Sequence, residues 1–206
     1  MPSLYILAGP NGTGKTTYYN TAIEEGFIDP SLPFINVDNI CRDELGEYSA
    51  ENKNKAEIIA RERIKNHTQY KESFMIESNL ALQADYDWID LMTKAGYSLH
   101  LYFLCTSNID INIERVLKRV KEGGHAIPVP IIEQRFNNGL MYLKGKLHCF
   151  NEATLIDNSE DVPMKIAVIK NGHLNTKTLR APSGRKSYYI SLKGWQKKEF
   201  LSGLFI

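Results

Sequence analysis

The run Gly9-Pro10-Asn11-Gly12-Thr13-Gly14-Lys15-Thr16 is a complete match to the pattern G-x-x-x-x-G-K-[ST]. The pattern has a function only as the turn between a strand and a helix, so it constrains the fold more than any other segment. Its glycines let the backbone curl until successive N–H groups point inward at phosphate oxygens. The helix that follows adds the positive end of its dipole. The flanks supply that context: Leu4–Ala8 is a continuous apolar run, read as a buried strand, and Lys15–Glu25 reads as a helix. In such a loop Lys15 is expected to bridge the β- and γ-phosphates of ATP and the Thr16 hydroxyl to ligate Mg²⁺. Gly9, Pro10, Asn11, Gly12, Thr13, Gly14 and Thr17 complete the cradle.

Along the rest of the chain, short apolar runs alternate with helical patterns, the mark of an α/β protein with a parallel sheet flanked by helices. Strands are expected at Phe34–Val37, Ser73–Ile76, Tyr97–Leu104 and Ala153–Ile156. Helices are expected at Glu51–Gln69, Ala84–Lys94 (stopped by Gly96 at C′), Asn108–Lys121 (ended by Gly123-Gly124) and Pro130–Lys144. After Pro163 the texture changes. Lys165–Ile169, Asn171-Gly172 and His173–Leu179 read as a β-hairpin with a tight turn. The tail is basic and aromatic, then apolar at Phe200-Leu201 and Leu204-Phe205-Ile206, and is expected to dock on its own domain. The expected organisation is therefore a domain over residues 1–162 and a hairpin-and-tail extension over 163–206.

Composition narrows the function classes. The chain has 206 residues, 43% hydrophobic, with a formal net charge of +1. That length suits one domain with a real core, and the charge balance argues against a mainly electrostatic nucleic-acid or membrane binder. No apolar run approaches the roughly 18 residues of a membrane span, and the N-terminal residues do not read as a signal peptide. Cys41, Cys105 and Cys149 are too widely spaced for a disulfide framework or a zinc knuckle, and read as reduced thiols of a cytoplasmic protein. There is no guanine-reading Asn-Lys-x-Asp and no Leu-Ser-Gly-Gly-Gln signature, which sets aside GTPases and transporter ATPases. What remains is a small phosphotransferase, and hence a P-loop kinase-like sheet. Such an enzyme needs a carboxylate for the acceptor proton, groups that position the acceptor, and arginines for the phosphoryl charge.

In α/β sheets ligands meet the carboxyl ends of the strands. The second strand exits at Asp38, which reads either as a general base facing the γ-phosphate or as an N-cap for the next turn. The third exits through Glu77 and Asn79, either acceptor-binding groups or a turn. Asp157 after Ala153–Ile156 superficially fits a Walker B aspartate but reads better as a turn with Asn158. Arg115 and Arg119 lie four apart on one helix, His125 follows the Gly123-Gly124 hinge, and Arg135 lies on the next helix. That arrangement suits a lid over a triphosphate. Arg115 and Arg135 favour the site, because guanidinium forks match phosphate oxygens, whereas Lys118 and Lys121 read as a solvated face.

Taken in order, Ala8–Thr16, Phe34-Ile35-Asn36-Val37-Asp38, Ile76-Glu77-Ser78-Asn79-Leu80, Gly96-Tyr97, Arg115-Val116, Arg119-Val120, Gly123-Gly124-His125 and Ile132–Phe136 resemble the zeta toxin family, in its small, compact branch. The resemblance spans residues 3–160. That family comprises P-loop kinases related to chloramphenicol phosphotransferase. Its best-known members phosphorylate the 3′-hydroxyl of UDP-N-acetylglucosamine and are restrained by an antitoxin. The resemblance implies Asp38 as catalytic base, Lys15 and Thr16 as nucleotide and Mg²⁺ contacts, Glu77 as acceptor-binding carboxylate and Arg115 as a phosphate contact. Two departures concern the acceptor side. Asn79 stands where large members have Thr, and His125 stands near their second arginine, whose work would pass to Arg119 or Arg135. Other small-molecule hydroxyls, an antibiotic's or a nucleotide's, therefore remain open as acceptors. So does a nucleotide-gated binding module acting through a partner. A polynucleotide kinase is disfavoured by the neutral charge, although Lys177–Lys198 is basic.

Overall fold

β-Branched and aromatic residues in short alternating runs build the sheet, and the computed structural model describes residues 1–174 of it. The elements are β1 (Ser3–Ala8), α1 (Lys15–Glu24), β2 (Phe34–Ile35), α2 (Val37–Asn39, running into a π-helical turn at Ile40–Glu44), α3 (Ala50–Tyr70), β3 (Phe74–Ser78), α4 (Gln83–Lys94), β4 (Ser98–Cys105), α5 (Ile109–Lys121), α6 (Val129–Lys146), β5 (Glu152–Asp157), β6 (Met164–Lys170) and β7 (His173–Leu174). The strand order is β2-β3-β1-β4-β5-β6-β7. The first five strands are parallel, and β6 and β7 add an antiparallel hairpin at one edge.

The alternation of side chains along each strand splits the core in two. Leu4, Ile6 and Ala8 of β1 share a face with Phe74, Ile76, Leu99, Leu101, Phe103, Ala153 and Leu155, and this face packs under α3, α4 and α6. Leu7, Met75, Leu104 and Ile156 face the other way and pack against Ala22 of α1. Burying a side chain of this size contributes about 1.5–3 kcal/mol, so the strands are held chiefly by these two layers.

Register places the strand ends. Ala8 lies beside Ser78 and Phe103, Ile35 beside Ile76, and Cys105 beside Asp157. The segments leaving β2, β3, β1, β4 and β5 therefore emerge along one edge of the sheet. Gly96, at φ 86°, closes α4: its N–H donates to Thr93 O, and the Tyr97 N–H donates to Met92 O.

The expected second strand is too long. Pairing stops at Ile35, because the Asn36 side chain caps a helical turn that takes in Val37 and Asp38. Asp38 is thus not the N-cap; Asn36 is. The hairpin forms as expected around Asn171-Gly172, where both residues have positive φ. Its extension to Leu179, and the docking of the tail, lie outside the described residues. Among the described residues no helix is long and apolar enough to cross a membrane.

One core group has no partner. The Tyr86 ring is fully buried beside Tyr142, and its hydroxyl has no hydrogen-bond partner among the described residues. An unpaired buried hydroxyl costs about 1–3 kcal/mol. Tyr86→Phe is therefore expected to raise the melting temperature by about 2–12 °C, read by thermal unfolding. An unchanged or lower Tm would mean that the hydroxyl is satisfied.

Candidate active site

The loop after β1 sits on the sheet edge in the shape its glycines permit. Gly12 and Gly14 have φ 80° and 82°, the left-handed region. A Cβ on Gly12 would lie 2.4 Å from the Asn112 carbonyl oxygen, so the loop backbone rests directly on α5. Thr13 is fully buried and its hydroxyl donates to Pro10 O at 2.9 Å. Three further side chains pin the loop from outside. Asn112 donates to Asn11 O at 2.6 Å, Asn158 donates to Thr13 O at 2.6 Å, and Arg135 donates to Asn11 Oδ1 at 2.8 Å. Thr106 Oγ1 in turn donates to Asn112 Oδ1 and fixes that amide. Gly12→Ala is expected to lower Tm by several degrees and to weaken nucleotide binding, since the left-handed conformation alone costs about 1–2 kcal/mol. Thermal melts with and without ADP read both effects.

Lys15 begins α1 and is 7% exposed. Its ammonium donates to Gly9 O at 2.7 Å, Pro10 O at 3.3 Å and Asn79 Oδ1 at 3.4 Å, and lies 3.7 Å from Glu77 Oε1. Burial pushes its pKa down, and the charges of Glu77 and Asp38 oppose that shift. Burial likewise pushes the Glu77 carboxyl up, against the pull of Lys15. Glu77 Oε2 also accepts from Asn36 Nδ2 at 2.7 Å.

A crevice of about 1140 Å³ runs along this edge. Loop residues Asn11, Gly12 and Gly14–Thr17 line it, and so do Asp38, Glu77, Arg115 and Arg119. The hydroxyls of Thr16 and Thr17 belong to exposed residues on its wall. Arg115 donates to Asn158 O at 2.7 Å and to Ser159 O at 3.3 Å, which anchors its guanidinium beside the end of β5. Arg119 donates to His125 O at 3.1 Å and holds the turn after α5 against the helix.

Gly9, Pro10 and Thr13 lie beneath the loop, fully or nearly buried. Asn79 reaches Lys15, and Arg135 reaches Asn11. His125 stacks on Tyr48 with ring centroids 4.0 Å apart, so it joins the turn after α5 to the segment before α3. Burial lowers the His125 pKa, the Asp38 charge opposes this, and Arg119, Lys53 and Arg135 add to it. Asp157 accepts from the N–H and hydroxyl of Ser159, the turn geometry expected of it.

The residues missing from the sequence reading are mostly asparagines. Asn36 had a legible signal, an Asn two residues before an Asp at a strand exit. Asn112 and Asn158 had none, because each acts on a loop about a hundred residues or more away in sequence.

The parallel sheet with a glycine-rich loop at its carboxyl edge is a P-loop kinase-like fold, and two carboxylates and two arginines line the crevice beside that loop. The chain belongs to the zeta toxin family, whose family model matches residues 1–163. Its fold is shared with solved structures. A chain of the AvrRxo1-ORF1:ORF2 complex with ATP is 18% identical, with TM-score 0.63, over 85% of this chain and 60% of that one. This chain therefore spans only about 60% of the length of that protein. The PezAT toxin–antitoxin system of Streptococcus pneumoniae gives TM-score 0.59 at 18% identity, over 99% of this chain and 84% of that one. A protein of Chloroflexus aurantiacus J-10-fl, provisionally assigned as a kinase, gives TM-score 0.50 at 25% identity, over 67% and 80%.

Proposed function

We propose that the protein transfers the γ-phosphoryl group of ATP to a hydroxyl of a small polar acceptor. A UDP-amino sugar such as UDP-N-acetylglucosamine is the leading acceptor, and a toxin–antitoxin pair is the setting. The observation that carries the reading is that Asp38 and Glu77 line the same crevice as Lys15 and the loop.

The loop N–H groups and Lys15 hold the triphosphate. The Thr16 hydroxyl would hold Mg²⁺, which would neutralise phosphate charge. Glu77 orients the acceptor, with Asn79, which reaches Lys15, and His125, which feels the Asp38 charge. Asp38 takes the hydroxyl proton as the acceptor oxygen bonds to the γ-phosphorus. The bond from that phosphorus to the β–γ bridging oxygen breaks, and ADP leaves with the electron pair. Arg115 offsets charge on the phosphoryl oxygens in transit, helped by Arg119 or Arg135. The ATP complex of AvrRxo1 supports the nucleotide, and the two-protein assemblies of AvrRxo1 and PezAT support an antitoxin partner. Cytoplasmic ATP supplies such a reaction.

The test is mass spectrometry of a metabolite extract incubated with protein and ATP, with UDP-N-acetylglucosamine as one defined acceptor. A species heavier by one phosphoryl group, formed in step with ADP, is expected. ATP turnover that no acceptor raises, with no new phosphorylated species, would overturn the kinase reading in favour of a nucleotide-gated module. A product formed only from another hydroxyl compound would remove the UDP-sugar and keep the kinase.

A further inference from the structure

Asp38 and Glu77 stand on different strand exits, yet one amide bonds to both segments. Asn36 is 4% exposed. Its Oδ1 accepts from the Asp38 N–H at 2.8 Å and the Asn39 N–H at 3.1 Å, and its Nδ2 donates to Glu77 Oε2 at 2.7 Å. The orientation of the amide is forced, because two N–H groups must meet the oxygen and a carboxylate must meet the nitrogen. From this we infer that Asn36 is a positioning residue that couples the placement of Asp38 to the ionisation of Glu77. The chemical consequence rests on the kinase reading; the coupling itself does not.

Glu77 is largely buried, and burial favours its neutral form. The Asp38 charge adds to this, and Lys15, Arg119 and the Asn36 donor oppose it. A triphosphate in the loop draws Lys15 towards its oxygens, and Asn36 then keeps donating to Glu77. A donor on the carboxylate favours the ionised form, so Glu77 stays ready to accept from the acceptor hydroxyl. The same amide holds the first turn of α2, and with it the backbone of Asp38, at fixed reach from Glu77.

A plain helix cap would behave differently under one substitution. Asp caps a helix about as well as Asn, so if capping were the whole role, Asn36→Asp would match the parent. If the donor to Glu77 matters, Asn36→Asp sets a second carboxylate against the first. Two carboxylates this close share a proton, and one folded-state pKa rises. A carboxyl group whose folded pKa is raised costs nothing below its unfolded pKa, and it destabilises as pH climbs towards the folded value.

The experiment is a melting series at pH 4 and pH 8 for the parent, Asn36→Asp, and Asn36→Asp combined with Glu77→Gln. Asn36→Asp is expected to melt near the parent at pH 4 and several degrees below it at pH 8. Adding Glu77→Gln should recover most of that loss, since the new amide can donate to the new carboxylate. In the extract assay, Asn36→Asp should lower product yield about 10–100-fold, with the acid limb of the pH profile moved upward. Parent-like melting of Asn36→Asp at both pH values would overturn the coupling. Coupled melting with undiminished product would overturn the positioning role. A parent that makes no product would sink the kinase reading instead, and the melting series would still decide the coupling.

Discussion

Lys15→Ala is expected to lower the yield of phosphorylated acceptor by about 10³-fold or more. Removing one preorganised donor from a site of developing charge costs about 10²–10³ in rate, and Lys15 also brings a full positive charge to the phosphates. The side chain is already confined: its ammonium is buried and turned onto Gly9 O, Pro10 O and Asn79 Oδ1. The substitution has a second consequence that separates charge loss from misfolding. Without its cation, the buried Glu77 carboxyl rises further in the folded state. By the linkage argument, that costs nothing below the unfolded carboxylate pKa and grows as pH rises. Lys15→Ala should therefore melt close to the parent at pH 4 and below it at pH 8. Adding Glu77→Gln should restore the melting temperature but not the product. Transfer within tenfold of the parent, measured by mass spectrometry, would remove Lys15 from the mechanism.

How much of this site could be read beforehand follows the range of the interactions. The loop was legible because its pattern is local: glycines, lysine and hydroxyl act within eight residues of one another. Asp38 and Glu77 were legible as strand exits because a parallel sheet gathers all its carboxyl ends on one edge. What joins them was not. The bonds from Asn112, Arg135 and Asn158 to the loop cross about a hundred residues or more of sequence. An asparagine carries no pattern that announces such a partner. The early end of β2 was missed for a related reason. Phe34–Val37 is apolar enough for a strand, but the Asn36 cap wins over apolarity once Asp38 and Asn39 offer it their N–H groups. The arginines fell between these cases. Their helix faces were readable from spacing, whereas the carbonyls of Asn158 and Ser159 that fix Arg115 belong to a turn defined only in three dimensions.

Asp38→Asn tests the geometry at its narrowest point, and a loss of about 10²–10⁴-fold in transfer is expected, the usual worth of a general base. The substitution is clean on structural grounds. Asp38 is exposed on the crevice wall, and the bond that orders its turn uses its backbone N–H, which an asparagine keeps. Stability should therefore stay within about 0.5 kcal/mol of the parent. Electrostatics are less neutral. The Asp38 charge favours the protonated forms of Lys15 and His125, so both lose that support in the variant. A fall in ATP affinity would report that loss of field, whereas a missing base lowers kcat with the substrates still bound. ATP turnover by Asp38→Asn equal to the parent's and raised by no acceptor in either protein would leave the crevice without its base. The nucleotide-gated reading would then be the better account of the same cradle.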